Sequence, residues 1–433
     1  MNTQTTRLAN DNYQPLSPYK FLHHPDRLAQ FWEHCYDVTP VTAHLAPTLY
    51  CNQRCYFCTY GQYKEHGKNS MWQMDIRDLK DCLDQLAENG IKGVIFTGGG
   101  EPTIYPHLVE AMAHARSLGL DIALNTNGYR CSDALLDGIL LCQPRYIRVS
   151  FNNGRALTQR LVTGRDNFQQ VLDHIARMAE RKASLSPATD LSVGYVVNTV
   201  NVHEMLDFLR HILGIEASVR RKTGVANPIY SVQFRPVSNF EHSKYVADEE
   251  RLARLAAYLG EQYGQAYRDE LEGFLFQGQQ ASVATMQLAL ETIQTQLVPA
   301  LAQDGASKIR IVYPERKYTD LIARAEKPYP LCLSCPWYLF IWPDGNLYSC
   351  VEWAGNPQFA IGNILREQLA DVLAGPARRE MADKINQGYL HHKCVAVCAH
   401  HEMNILLNRL YADGREKAGG NLGDVTVRHE NFL

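Results

Sequence analysis

The sequence predicts an α/β protein, an open barrel of six parallel βα units followed by a small α+β domain built around cysteines. Three observations carry this reading. Six short apolar runs alternate with helical repeats between residues 41 and 240, the order a parallel sheet requires. A glycine-rich turn follows directly on the second run. Of the twelve cysteines in 433 residues, three lie within eight positions near residue 51 and five lie beyond residue 328.

The strands are expected at 41–48, 93–97, 121–125, 146–151, 191–198 and 230–236. Between them, Leu79, Cys82, Leu83 and Leu86 recur at helical spacing, and Phe168, Val171, Leu172 and Ile175 do so after Gly164. Six such units make a partial, TIM-like (βα)6 barrel. Active sites of such barrels collect at the carboxyl ends of the strands, which makes Asn125, Asn127, Ser150, Asn152, Asn198 and Arg235 candidates. Each asparagine is equally a turn or cap residue, and Asn127-Gly128 is a turn signal by itself. Arg220 to Lys222 precede the sixth strand on the opposite rim and read as a solvated loop.

Residues 241–308 form an acidic, helix-rich stretch in which Val283, Met286, Leu290, Ile293 and Leu297 share one face. That amphipathic helix is expected to end before Pro299 and to serve as scaffold packing. Further on, Phe340-Ile-Trp-Pro-Asp-Gly-Asn-Leu-Tyr-Ser-Cys350 reads as a hairpin with an Asp-Gly turn. The division is therefore an N-terminal extension (1–40), the barrel (41–240), a connecting segment (241–327) and a cysteine-bearing domain (328–433).

Composition excludes several classes. The first twenty residues are polar, unlike a secretory signal, and no apolar run reaches the length of a membrane span. A net charge of −3 without a long basic tract argues against a nucleic-acid partner. Clustered cysteines favour metal binding in a reducing, cytoplasmic compartment over disulfides. Cys35, Cys82, Cys131 and Cys142 are scattered and read as small buried hydrophobes.

Cys51, Cys55 and Cys58 stand in Tyr50-Cys-Asn-Gln-Arg-Cys-Tyr-Phe-Cys-Thr59. Thiolates this close can grip one iron-sulfur cluster, and a group of three leaves one iron of a four-iron cluster without a protein ligand. Zinc would need a nearby fourth ligand, and the next candidate, His66, sits in a polar stretch without a paired partner. After the run Lys92 to Thr97 comes Gly98-Gly-Gly-Glu-Pro-Thr103. Glycines there permit close backbone approach and positive φ, while Glu101 also suits the start of a helix.

The spacing CxxxCxΦC, with Phe57 before the last cysteine, resembles the radical SAM superfamily, and Gly98 to Pro102 resembles its GGEP motif. The resemblance covers about residues 41 to 240. It implies a 4Fe–4S cluster on Cys51, Cys55 and Cys58 that binds S-adenosylmethionine (SAM) through the open iron and splits it to methionine and a 5'-deoxyadenosyl radical. It also implies that Gly98, Gly99, Gly100 and Glu101 meet the SAM amino group, that Ser150 is a SAM contact, and that an arginine meets the carboxylate. Arg165 is favoured over Arg160 for that arginine. A reducing donor such as flavodoxin or ferredoxin would supply the electron.

Among the later cysteines, Cys332 and Cys335 form CxxC, Gly345 and Cys350 follow, and Cys394 and Cys398 come last. With Phe359-Ala-Ile-Gly-Asn-Ile364, this resembles the SPASM and twitch domains that carry auxiliary 4Fe–4S clusters. Five thiols permit one fully ligated cluster with one left over, a reduced, twitch-like form; which four bind is open. The rival is a zinc ribbon, since CxxC pairs are also zinc-like and His391, His392, His400 and His401 stand near.

The expectation is a radical SAM enzyme, an oxidoreductase or related catalyst, whose radical takes a hydrogen atom from a small-molecule substrate: a sugar, a nucleotide-linked sugar or a natural-product intermediate. Only fifty residues precede Cys51, whereas peptide-modifying relatives often carry a leader-binding module of about a domain's size. A peptide or protein maturase is the alternative, and a non-catalytic iron-sulfur or zinc scaffold is the alternative of another class. No general base is identifiable.

Overall fold

Residues 17–61, 73–238, 248–277, 279, 281–414 and 427–433 are described by a computed structural model; His66 lies outside them. The barrel strands are β1 (Thr42–Leu45), β2 (Gly93–Phe96), β3 (Asp121–Thr126), β4 (Tyr146–Ser150), β5 (Asp190–Val197) and β6 (Ser231–Pro236). Each falls within a few residues of its expected place, because each is a short apolar run bounded by helix signals. In β4, Ile147 and Val149 are buried while Tyr146, Arg148 and Ser150 are half-buried, the period-2 alternation of a strand with one face toward a lumen. The helix Ile76–Glu88 buries Leu79, Cys82, Leu83 and Leu86, and Asp75 caps its start by accepting from Arg77 N. Phe168–Leu185 buries Val171, Leu172 and Ile175.

Strands β7 (Arg310–Val312), β8 (Tyr338–Ile341), β9 (Asn346–Tyr348) and β10 (Gly362–Asn363) complete one ten-stranded sheet in the order β10-β9-β8-β1-β2-β3-β4-β5-β6-β7. β7 adds parallel to β6 and β8 parallel to β1. The C-terminal region therefore continues the barrel sheet, which sequence alone did not suggest: three residues are too few to show a period, and the outer partner of β8 is almost three hundred positions away. The hairpin itself is as expected, with Ile341 opposite Leu347 and Gly345 at φ 83° in the turn.

The helix Val283–Thr292 does not stop before Pro299. It passes through a π-helical turn, Ile293–Leu297, into a further helix, Val298–Asp304, with Pro299 in its first turn. A π turn at this point accommodates the missing proline N–H and the bulk of its ring. Met286, Ile293 and Leu297 are buried in the main core, as scaffold packing requires.

Residues 427–433 close the amino end of the barrel. Thr42 Oγ1 donates to Asn431 O at 2.9 Å, Asn431 Nδ2 to Asp121 Oδ2 at 2.8 Å, and Arg428 Nη2 to Asp190 Oδ1 at 2.7 Å. Phe432 packs on Ile95 and Ala123. Phe21, Phe31, Val38 and Val41 share one apolar cluster with Leu333, Trp337, Met403 and Leu407, so the chain ahead of the barrel packs on the C-terminal region. Among the described residues, no helix is long and apolar enough to cross a membrane.

Candidate active site

The first cysteine loop leaves the carboxyl end of β1 and is pinned to the barrel rim on several sides. Arg54 N donates to Thr163 O at 2.7 Å and Tyr56 N to Val162 O at 3.3 Å, both at the end of the helix Ala156–Thr163. The buried Tyr56 hydroxyl donates to Asn198 Oδ1 at 2.8 Å, just past β5. Phe57 meets the Tyr56 ring edge-on at 5.3 Å. Asn127 Nδ2 donates to Asn52 Oδ1 at 2.7 Å and lies 3.9 Å from Cys51 Sγ. The Cys55 thiol faces Gln53 Oε1 at 3.6 Å. Cys51, Cys55 and Cys58 are free thiols, each half-buried. Three such thiols on one fixed loop, with an amide N–H directed at one sulfur, fit the protein side of a cluster.

Arg165 lies in the link between two helices, two residues before the cap Asn167, and its Nε donates to Asn52 O at 2.7 Å. It therefore reaches the cysteine loop itself, whereas Arg160 lies on the preceding helix. Ser150 ends β4 opposite Gly194. Asn152 and Asn198 are occupied by the backbone: Asn152 Oδ1 accepts from Val196 N at 2.7 Å, and Asn198 Nδ2 donates to Val196 O at 2.9 Å. For these two the turn-and-cap role is the one observed.

The glycine turn rests on the residues before Cys51. None of Gly98, Gly99 and Gly100 has a left-handed φ, so the need for glycine is steric. A Cβ on Gly100 would stand 2.3 Å from Tyr50 O; one on Gly99 would meet Leu49 Cδ2 at 2.4 Å and Trp342 at 2.7 Å; one on Gly98 would meet Gly100 O at 2.1 Å. Glu101 N donates to Tyr50 O at 2.8 Å. The Glu101 carboxylate is buried and accepts from Thr103 N at 3.1 Å, Thr103 Oγ1 at 2.6 Å, Thr126 Oγ1 at 2.5 Å and Asn127 N at 2.7 Å. Burial raises its pKa against these hydrogen bonds. Its side chain thus ties the turn to the end of β3 and caps Pro102–Ile104, leaving only the turn's backbone to meet a ligand. Gly100→Ala is expected to lower stability by about 1–3 kcal/mol through overpacking, read as a lower midpoint in denaturant, with the first cysteine loop displaced.

The second thiol group gathers behind β8 and β9. Burial raises the Cys350 thiol, and the charges of Glu352, Cys332, Cys394 and Cys398 act in the same direction. Cys335 is buried and Cys332 half-buried: the hydrogen bond from Cys335 lowers Cys332, and that same bond with burial raises Cys335. Cys350 is thus within electrostatic reach of Cys332, Cys394 and Cys398, and Cys335 within that of Cys332 and Cys350. Sequence reasoning missed the residues that hold them. Asn404 Oδ1 accepts from Leu333 N at 2.8 Å and Ser334 N at 2.9 Å, and Asn386 Oδ1 from Cys332 N at 2.7 Å. Lys327 Nζ donates to Ala396 O at 2.9 Å, and Ala399 N donates to Glu352 Oε1 at 2.8 Å. Nothing in local sequence marks these residues, because their partners are distant in the chain.

The histidines beside this group are engaged elsewhere. His400 is buried and stacked on Tyr338 at 3.9 Å; His401 Nε2 contacts Asp320 Oδ2 at 2.9 Å and Nδ1 contacts the Tyr329 hydroxyl at 3.2 Å. His391 and His392 are exposed. Among the described residues, no three His, Cys, Asp or Glu side chains are gathered as a single metal ion would need. Tyr60 links the two thiol groups: its hydroxyl donates to Val351 O at 3.2 Å, and its ring lies 5.4 Å from that of Trp342.

Residues 45–212 match the model of the radical SAM superfamily, and residues 332–400 match that of SPASM, an iron-sulfur cluster-binding domain. GTP 3',8-cyclase of Tolumonas auensis is 28% identical over 171 residues, 38% of this chain and 47% of that protein. Mycofactocin maturase MftC of Mycobacterium ulcerans is 26% identical over 182 residues, 42% of this chain and 46% of that protein. The chain thus spans about half the length of these curated relatives. The structure of SuiB from Streptococcus suis bound to S-adenosylmethionine matches 84% of this chain and 71% of its own, with a TM-score of 0.53 at 14% identity, a likeness of fold. On the two domain matches, in this order along one sheet, the chain belongs to the radical SAM superfamily, with a SPASM iron-sulfur domain behind the barrel.

Proposed function

We propose that this protein is a radical SAM oxidoreductase acting on a small molecule held in the barrel lumen. One observation carries the reading: the loop of Cys51, Cys55 and Cys58 and the turn of Gly98 to Glu101 are one assembly, joined by Glu101 N to Tyr50 O and by Asn127 to Asn52. Cys51, Cys55 and Cys58 would hold the SAM-binding 4Fe–4S cluster. Bound there, the cluster would supply the electron for reductive cleavage of SAM and so the means of hydrogen-atom abstraction from the substrate. Phe57, the backbone of Gly98, Gly99, Gly100 and Glu101, and the side chains of Ser150 and Arg165 are assigned to SAM. Four of Cys332, Cys335, Cys350, Cys394 and Cys398 would hold the auxiliary cluster. Tyr60, Trp342 and Val351 join the two thiol-bearing regions.

The barrel interior supports the small-substrate reading. It holds a cavity of about 200 Å³ between the strands, the residues after Cys398 and the segment Ser17 to Lys20, space for a small molecule. A second reading, a peptide maturase, is favoured by the likeness of fold to SuiB, a structure of which is bound to precursor peptide SuiA, and by the match to MftC. The test uses anaerobically reconstituted, reduced protein with SAM and deuterated candidate substrates. Deuterium in 5'-deoxyadenosine is expected with a small metabolite. Transfer from peptides alone would establish the second reading, and deoxyadenosine that never forms would leave an iron-sulfur scaffold.

A further inference from the structure

The lumen cavity carries an imbalance of charge that the SAM-binding assembly does not use. Arg148 projects from β4 on the same face as Ser150, one lumen-facing position deeper, and Arg235 projects from β6. Both line the cavity with His44, Gln233 and Lys317. The Arg148 stem and the Arg235 guanidinium both pass over Gly194 of β5: a Cβ there would lie 3.6 Å from Arg148 Cδ and 3.7 Å from Arg235 Nη2.

Among the described residues, neither arginine has a hydrogen-bond or ion-pair partner, and the Nε of each is buried without one. His44 Nε2 and Gln233 Oε1 are orphaned in the same way. Burial and the charge of Arg148 push Arg235 down to about 9. The same two causes push the buried His44 down to about 4, so it stands neutral. Glu402 and the terminal residue Leu433 also line this cavity; Glu402 and Glu352 act on Lys317, and Lys317 Nζ donates to Ala399 O at 2.8 Å. Burial still lowers the Lys317 pKa against these groups, and neither arginine has a carboxylate at ion-pair distance among the described residues. Both side chains are half-buried with their Nε atoms buried, and like charges near one another with so little water are costly unless an opposite charge joins them. Guanidinium forks match phosphate and carboxylate oxygens in bidentate geometry.

We propose that Arg148 and Arg235 form an oxyanion-binding site in the lumen, taking a phosphate or carboxylate group of the substrate. As a substrate anchor it rests on the radical SAM reading above; as an anion site it rests on the cavity alone. An anionic group fixed there leaves the rest of the molecule to extend past Ser150 toward the assembly at the carboxyl ends of the strands. The substrate class narrows accordingly to phosphate esters or carboxylic acids.

The test is calorimetric titration of the reconstituted holoprotein with inorganic phosphate and, separately, with malonate, in low-salt buffer. Saturable binding of at least one is expected, weakened about tenfold or more by Arg148→Gln and by Arg235→Gln and largely kept by Arg235→Lys. Arg254→Gln, on an exposed helix face, serves as the control and should bind as the wild type does. Tighter phosphate binding would identify a phosphate ester, and tighter malonate binding a carboxylate. No saturable binding of either anion by the wild type, or binding unchanged in both Gln variants, would overturn the proposal. SAM cleavage measured on the same samples separates the two readings. Cleavage without anion binding removes this site alone; anion binding without cleavage keeps the site and removes the enzyme assignment.

Discussion

Replacing Cys51, Cys55 and Cys58 together with Ala is expected to abolish SAM cleavage while leaving about four irons per chain, the content of one four-iron cluster. The separation follows from what holds each thiol group. The first loop is tied to Val162, Thr163 and Asn198 of the barrel rim, whereas the second group depends on Asn386, Asn404, Lys327 and Glu352. Removing the first set leaves every one of those anchors in place. Iron and sulfide analysis, with deoxyadenosine measured by chromatography, decides the matter. A variant that loses all iron, or that still cleaves SAM, would refute the assignment.

The second large effect is expected at Cys350, which follows β9 directly. Cys350→Ala should lower iron from about eight per chain to about four, since a four-iron cluster rarely survives with three thiolates unless the open iron finds another ligand. SAM cleavage should persist, because the first loop touches this region through Tyr60 and the neighbouring Val351 backbone, not through the thiol. Turnover of the true substrate should fall much further than SAM cleavage does. Zinc in the wild-type protein together with only four irons would make the domain a structural ribbon without an auxiliary cluster.

The barrel was legible because its signals are local. Six apolar runs of strand length, separated by helical repeats, fix the element order, and parallel pairing follows from the crossover helices. The hairpin at Asp344-Gly345 was legible for the same reason. What the sequence hid depends on distant pairing. The contacts of β7 with β6 and of β8 with β1 carry no local mark, and Pro299 reads as a helix end until the π turn before it is seen. At the site, cysteine spacing named both thiol groups, but the role of the glycines was only half visible. They serve close packing against Leu49, Tyr50 and Trp342, not an unusual φ. The arginine pair over Gly194 was less visible still. Arg235 was marked by its place at a strand end, but Arg148 reads as an ordinary polar position in an alternating strand until the lumen closes around it.

The central claim is that the three-cysteine loop and the glycine turn make one SAM-binding site, separate from the second cluster. Electron paramagnetic resonance of the reduced, reconstituted protein tests it most directly, with spectra recorded before and after SAM is added. The account predicts two reduced-cluster signals, of which one changes on SAM addition and is missing from the triple cysteine variant, while the other is unchanged in both. Signals that SAM leaves untouched, or a single signal that survives loss of Cys51, Cys55 and Cys58, would contradict it.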